Sequence, residues 1–271
     1  MKKALIVMAL FAGVMTVHAK PLIVAHRGAS AYAPENTTPS IQMAWDLGSD
    51  GCEYDVYLTK DNEVMLLHDK TTSRTAPGTN LAIKKSNSED LARIDVGAWK
   101  NPVYEGTMIS KIEEAFEYHP MGKIHVIEVK DGPETIAPIA RLIKASDHPA
   151  SDFLVISFNL DTCIEARKQL PEVEVYFLKG AKNRETGKIE NFGSDLIELA
   201  KKHNFTGLNL DYNGITKEFI EECKANDLRI LTWTVDGDAD VERLTRWGIQ
   251  AITTNRPDTA RRAMERALKA E

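Results

Sequence analysis

The amino-acid sequence predicts an α/β fold: a (β/α)8 TIM barrel with a small insertion after the second strand. Three observations lead there. From residue 21 onward, short apolar runs alternate with longer helical patterns, the signature of βαβ units around a parallel sheet. Eight such runs occur, whereas an open doubly wound sheet more usually stops at five or six strands. The chain of 271 residues also suits a single barrel of this kind, which spans about 250 residues.

The strands are expected at Leu22–Ala25, Gly51–Leu58, Ile124–Val129, Phe153–Ser157, Val173–Leu178, Gly207–Leu210, Arg229–Val235 and Ala251–Thr254. Thr38-Pro39 offers a cap and a first-turn proline for the first helix, and Gly48 closes it. Ser110-x-x-Glu113 reads as a capping box ahead of Ala115-Phe116. Helical patterns at 133–146, 160–169, 194–203, 216–226, 238–247 and 257–270 fill the remaining gaps. The stretch Thr59 to Ile109 breaks the rhythm. It holds a strand at Val64–Leu67, a Thr/Ser/Pro/Gly-rich loop at 71–80 and a short helix opened by Ser86-x-x-Glu89. This excess, 59–109, fits a subdomain inserted at the second βα loop, and such loops line the catalytic face of a barrel.

Composition narrows the function classes. With 34 Lys+Arg against 40 Asp+Glu the net charge is −6, and no basic stripe offers a footprint for nucleic acid. Cys52, Cys163 and Cys223 lack CxxC spacing, so core thiols are expected rather than disulfides or a thiolate zinc site. Residues 1–19 run from Met1-Lys2-Lys3 through apolar Ala4–Val17 to Val17-His18-Ala19, the layout of a secretory signal peptide cleaved near Ala19. Crossing a bilayer takes about 20 apolar residues, so this run is too short for a stable membrane anchor. The mature chain, 20–271, is expected to be exported, either periplasmic or secreted. The sequence leaves the oligomeric state open.

The residues that could carry chemistry recur at strand ends. His26-Arg27-Gly28 follows the first strand and combines an acid/base group with an anion-binding fork, though a structural histidine at a strand end is common. In Glu53-Tyr54-Asp55, strand alternation points both carboxylates to one side. Burying two like charges is costly without a cation between them. The pair therefore suits a hard divalent metal, the alternative being acids that face solvent beside basic partners. Glu128-Val129-Lys130 adds a third carboxylate and a point charge for a phosphate oxygen, unless the two form a self-contained surface pair. His68-Asp69 ends the inserted strand and gives a second imidazole. Three carboxylates, two imidazoles, an arginine and a lysine suit metal-assisted displacement at phosphorus.

These residues fall within longer stretches that resemble the glycerophosphodiester phosphodiesterases. The stretches are His26-Arg27-Gly28-Ala29, Pro34-Glu35-Asn36-Thr37, Glu53-Tyr54-Asp55-Val56, Leu58-Thr59-Lys60-Asp61, His68-Asp69, Glu128-Val129-Lys130, Ser157-Phe158-Asn159 and Thr232-Trp233-Thr234-Val235. They keep the family's order from 21 to about 260 and so cover nearly the whole mature chain. The resemblance implies the same barrel and insertion. It also implies a divalent metal ion, Ca²⁺ or Mg²⁺, on Glu53, Asp55 and Glu128. Catalytic histidines fall on His26 and His68, and phosphate-contacting cations on Arg27 and Lys130. Trp233 matches an aromatic at the mouth, with a core tryptophan as the alternative.

The chain departs from the family at two places. Asn255 stands where the family often has Asp, and Ile109-Ser110-Lys111-Ile112-Glu113-Glu114 replaces a Pro-Thr-Leu-Glu-Glu stretch. The activity implied is hydrolysis of a small soluble glycerophosphodiester to an alcohol and sn-glycerol 3-phosphate. The competing readings are a related barrel acting on a lysophospholipid, phosphoinositide or sugar phosphodiester, and a non-catalytic barrel that binds a phosphorylated ligand.

Overall fold

The computed structural model describes residues 20–270, so the expected leader at 1–19 lies outside the described residues. In chain order the elements are β1 (Leu22–Ala25), α1 (Thr38–Asp46), β2 (Gly51–Leu58), β3 (Val64–Leu66), α2 (Ser88–Leu91) and α3 (Ile112–Glu117). There follow β4 (Ile124–Val129), α4 (Ile136–Ala145), β5 (Phe153–Ser157), α5 (Leu160–Gln169), β6 (Glu174–Lys179) and α6 (Ser194–Lys202). The last are β7 (Gly207–Asp211), α7 (Lys217–Ala225), β8 (Arg229–Trp233), α8 (Asp238–Arg246), β9 (Ala251–Thr254) and α9 (Pro257–Lys269). The parallel strands run β1-β9-β8-β7-β6-β5-β4-β2, and pairing of Val24 with Gly51 closes them into an eight-stranded barrel. β3 lies antiparallel on the outer part of β2. The expected barrel is therefore present.

The helix starts differ from expectation by a residue or two, and hydrogen bonds show why. Thr37, not Thr38, caps α1, and the Ser40 hydroxyl accepts the Thr37 N–H at 3.3 Å. At α3 the acceptor is Glu114 rather than Glu113: its carboxylate takes the Lys111 N–H at 3.0 Å and the Ser110 hydroxyl at 3.1 Å. α2 begins after Asn87, because Asp61 from the neighbouring turn already satisfies the Ser88 N–H and hydroxyl.

Strand alternation divides the barrel wall. Val24, Val126, Leu154, Tyr176, Leu231 and Ala251 point inward and fill the interior as a packed plug. The alternate residues, including Ile23, Tyr54, Ile127, Val175, Leu208 and Ile252, face outward and bury the helices' apolar sides. All three cysteines are free and buried in that outer layer, as expected. Residues 59–109 fold around a small core of their own that includes Met65, Leu67, Ile83, Leu91 and Ile109. Lys100 Nζ donating to the Ser30 carbonyl at 2.8 Å ties this insertion to the loop after β1. Among the described residues no helix is long and apolar enough to cross a membrane.

Away from the mouth, buried His119 after α3 and buried His125 on β4 meet half-buried His148 from the loop after α4. The His119 and His125 rings stack with centroids 3.3 Å apart, and His125 Nδ1 shares a 2.6 Å hydrogen bond with the Tyr54 hydroxyl. His148 Nε2 donates to the Phe116 carbonyl at 3.1 Å, and neither nitrogen of His119 has a partner. Burial, reinforced by His148, pushes His119 down to about 3, and burial depresses His125 further. Both values lie below the ordinary 6.5, so the unfolded chain takes up these protons first. Stability is therefore full above about pH 6.5 and falls as pH drops through the window, by about 1.4 kcal/mol per unit for each neutral imidazole. Replacing His119 by Phe is expected to flatten the slope of urea-unfolding free energy between pH 6 and 4 by about that amount. An unchanged slope would show that the buried ring takes no part in acid unfolding.

Candidate active site

The site is built from the sharp turn that ends β1. Gly28 has φ +78°, and a Cβ there would lie 2.3 Å from Ser40 Oγ and 2.5 Å from the Ser40 carbonyl carbon, so only glycine fits. Arg27 is itself left-handed at φ 55°, a conformation that costs a non-glycine residue about 1–3 kcal/mol and needs support. That support is on hand. The Arg27 N–H donates to Glu53 Oε2 at 2.7 Å, and its carbonyl accepts from Ser40 Oγ at 2.9 Å and from the Asn36 N–H at 3.0 Å. The reversal lets the consecutive His26 and Arg27 line one cavity.

The next inward positions on β2 and β4 carry the acids. Glu53, Asp55 and Glu128 are buried, and each offers an oxygen within 4.8 Å of the others. Asn36 locks Asp55 from both sides: its Nδ2 donates to Asp55 Oδ2 at 2.8 Å and its Oδ1 accepts the Asp55 N–H at 3.0 Å. Arg27 Nε stands 3.2 Å from Asp55 Oδ2, and Lys130 Nζ is 2.6 Å from Glu128 Oε1 and 3.3 Å from Asp55 Oδ1. Burial pushes Asp55 up, but Lys130 and Arg27 more than offset this and hold it below the usual carboxylate range. Glu53 is raised well above its ordinary value by burial and by repulsion from Asp55 and Glu128. Glu128 is raised to about 7 by burial and the Asp55 charge.

Three carboxylates formally face two cations in this buried site, and the upward shifts of Glu53 and Glu128 register the excess of negative charge. Glu53 Oε1 is also buried without a hydrogen-bond partner, and Asp55 Oδ1 has only the 3.3 Å ion pair with Lys130. All-oxygen donors with excess negative charge and an orphaned oxygen fit a hard divalent cation.

The two imidazoles are oriented by chemically different partners. His26 Nδ1 lies 2.7 Å from Asn255 Oδ1, while Asn255 Nδ2 donates to Asp236 Oδ2 at 2.6 Å. That second bond fixes which end of the amide faces the ring. Nδ1 therefore carries the proton and Nε2 the lone pair. Burial, helped by Arg27, depresses His26 to about 4. His68 Nδ1 instead donates to a carboxylate, Asp69 Oδ1, at 2.6 Å. Burial lowers His68 as well, helped by Lys130 and Arg27, while Asp55 and Asp69 oppose the shift in part.

A cavity of about 210 Å³ at the carboxyl ends of the strands is lined by His26, Arg27, Glu53, His68, Glu128, Lys130 and Trp233, with Asp55 buried beside Glu53 and Glu128. The structure thus brings every sequence-derived candidate to one place. Trp233 is half-buried at the mouth, edge-to-face with Phe158 at 5.5 Å, its Nε1 donating to the Asn209 carbonyl at 3.2 Å. Sequence reasoning missed Asn209, which lines the cavity with its buried Oδ1 unpartnered. The signal was present: an amide at an inward position of the otherwise apolar Leu208–Leu210. Glu35 and Asn36 stood within the Pro34–Thr37 stretch of the resemblance but without a role, and Arg74 gave no signal, because loop residues follow no period.

Comparison with known proteins shows the family and the fold. The model of the glycerophosphoryl diester phosphodiesterase family matches residues 26–259. A glycerophosphodiester phosphodiesterase of Caldanaerobacter subterraneus subsp. tengcongensis is 33% identical over 245 residues, covering 89% of this chain and 96% of that protein. One from Bacillus subtilis is 28% identical over 254 residues, covering 88% and 84%. An Oleispira antarctica phosphodiesterase solved with the product sn-glycerol-3-phosphate superposes with a TM-score of 0.79 at 26% identity, covering 91% of this chain and 97% of that one. A Thermotoga maritima glycerophosphodiester phosphodiesterase shares the fold, with a TM-score of 0.70 at 23% identity over 89% and 97% of the two chains.

Proposed function

The chain belongs to the glycerophosphoryl diester phosphodiesterase family and is a phosphoric diester hydrolase, and from that premise we propose a metal-dependent reaction with divided histidine roles. The substrate is a small glycerophosphodiester, and the products are an alcohol and sn-glycerol 3-phosphate. A Ca²⁺ or Mg²⁺ ion held by Glu53, Asp55 and Glu128 would supply positive charge against the phosphoryl oxygens. Arg27 and Lys130 bind the non-bridging oxygens. His26 Nε2 takes the proton of the nucleophile, and His68 gives a proton to the departing alkoxide. Asn209 Oδ1 accepts from a glycerol hydroxyl, and Trp233 with Phe158 shields the mouth.

The observation that carries this reading is the contrast between the two imidazoles facing one cavity. Burial and Arg27 hold His26 neutral against its Asn255 amide, whereas at His68 the Asp55 and Asp69 carboxylates oppose the same burial. Environments that push two titratable groups apart assign the base and the acid. Incubation with glycerophosphocholine should release choline and sn-glycerol 3-phosphate, and a cyclic phosphate in a partial digest would identify the substrate's own 2-hydroxyl as nucleophile. No turnover of any diester would favour a binding barrel instead. The leader-like residues 1–19 support export, so the enzyme should be recovered from the extracytoplasmic fraction with its N-terminus near Lys20.

The division of roles has its own test. Exchanging amide and carboxylate in the double variant Asn255→Asp/Asp236→Asn sets a carboxylate against His26 and stabilises its charged form. The rising limb of kcat/KM, near pH 4 for His26, should then move up by about 1–3 units. A shift of the falling limb instead would reverse the assignment.

A further inference from the structure

Arg74 lies outside the cavity, in the insertion, at the end of the short turn Thr72–Arg74. Its guanidinium grips two carboxylates at once. Nε donates to Asp69 Oδ2 at 2.6 Å, while Nη1 and Nη2 donate to Glu35 Oε2 at 2.8 Å and Oε1 at 2.7 Å. Each carboxylate holds a site residue with its remaining capacity. Glu35 Oε1 also accepts from Arg27 Nη1 at 3.0 Å, and Asp69 Oδ1 accepts from His68 Nδ1 at 2.6 Å. Glu35 comes from the loop after β1 and Asp69 from the insertion, so nothing in the barrel ladder sets the distance between them.

We propose that Arg74 is a positioning residue that clamps Glu35 to Asp69 and so holds Arg27 and His68 in fixed register across the cavity. The inference rests on the reading of His68 as the acid. Both carboxylates are held below the usual range: burial pushes Glu35 and Asp69 up, and Arg74, together with Arg27 at Glu35 and His68 at Asp69, more than offsets it. Only the planar arginine fork can serve both, since a lysine ammonium is a single point charge. The Arg74 side chain is 42% exposed, and ion pairs this open to solvent add little to stability. Its worth therefore lies in geometry, where a misplacement of about 1 Å costs up to about 100-fold in rate.

The test compares two diesters, glycerophosphocholine and a p-nitrophenyl glycerophosphodiester whose phenolate leaves without a proton. Arg74→Met should lower kcat by about 10- to 100-fold on the choline diester and clearly less on the nitrophenyl one. Melting temperature should stay nearly unchanged, and Arg74→Lys should recover only part of the rate. Adding Asp69→Asn to Arg74→Met should cost little more, because both changes act through His68. Equal losses on the two diesters, or losses that multiply in the double variant, would overturn the clamp. His68→Ala is the control: if it loses equally on both diesters, the acid assignment fails, and the double variant alone then decides the clamp. An unaltered enzyme that cleaves neither diester would sink the functional reading and the clamp with it.

Discussion

Replacing His26 by alanine is expected to cut kcat on glycerophosphocholine by about 1,000-fold, within the range for a general base and equivalent to about 4 kcal/mol of barrel-mouth chemistry. No other group in the cavity can take over. His68 spends its Nδ1 proton on Asp69, and the three carboxylates form the cluster proposed to hold the metal. The fold should survive, because His26 stands at the mouth and its loss removes one hydrogen bond to Asn255, worth about 1 kcal/mol. Steady-state kinetics beside a thermal melt check both halves. A variant that kept a tenth of the original rate would place the base elsewhere.

The second large effect is on the carboxylate cluster. Chelation, or Glu128→Gln, is expected to lower activity by several orders of magnitude, since metal charge at a phosphoryl centre is worth several kcal/mol. The change has a thermal signature independent of turnover. A ligand at 100 times its Kd stabilises the native state by about 2.7 kcal/mol, which for a chain of this size is about 5–10 °C. Calcium or magnesium should raise the melting temperature of the unaltered protein by that amount and leave Glu128→Gln unmoved. The variant itself should melt no lower than the chelated parent, because it deletes one of three mutually repelling buried acids. Full activity under EDTA would rule out the metal.

The barrel and its charged centre were legible in the sequence because both follow a period of two. Alternation in Glu53-Tyr54-Asp55 and Glu128-Val129-Lys130 states which residues share a face, and the structure keeps those parities. The same rule, applied to Leu208-Asn209-Leu210, would have found Asn209. Helix starts were misplaced where two adjacent residues could both cap, as at Thr37-Thr38 and Glu113-Glu114. Contacts between loops were not legible, because Arg74 meets Glu35 across 39 positions and Asn255 meets His26 across 229. The histidine stack at 119, 125 and 148 was missed for the same reason: its members come from three different segments, and none looks unusual alone.

Every ionisable side chain lining the cavity comes from the arc formed by β1, β2, the insertion and β4. The opposite arc, β5 to β8, contributes Ile156, Phe158, Leu178, Asn209, Trp233 and Thr234, none of which titrates. On the proposed roles, proton traffic and molecular discrimination would be housed on separate walls. Substitutions along the uncharged wall can change which alcohol fits while the reacting groups stay in place, so a descendant of this enzyme could acquire a new diet without relearning its chemistry.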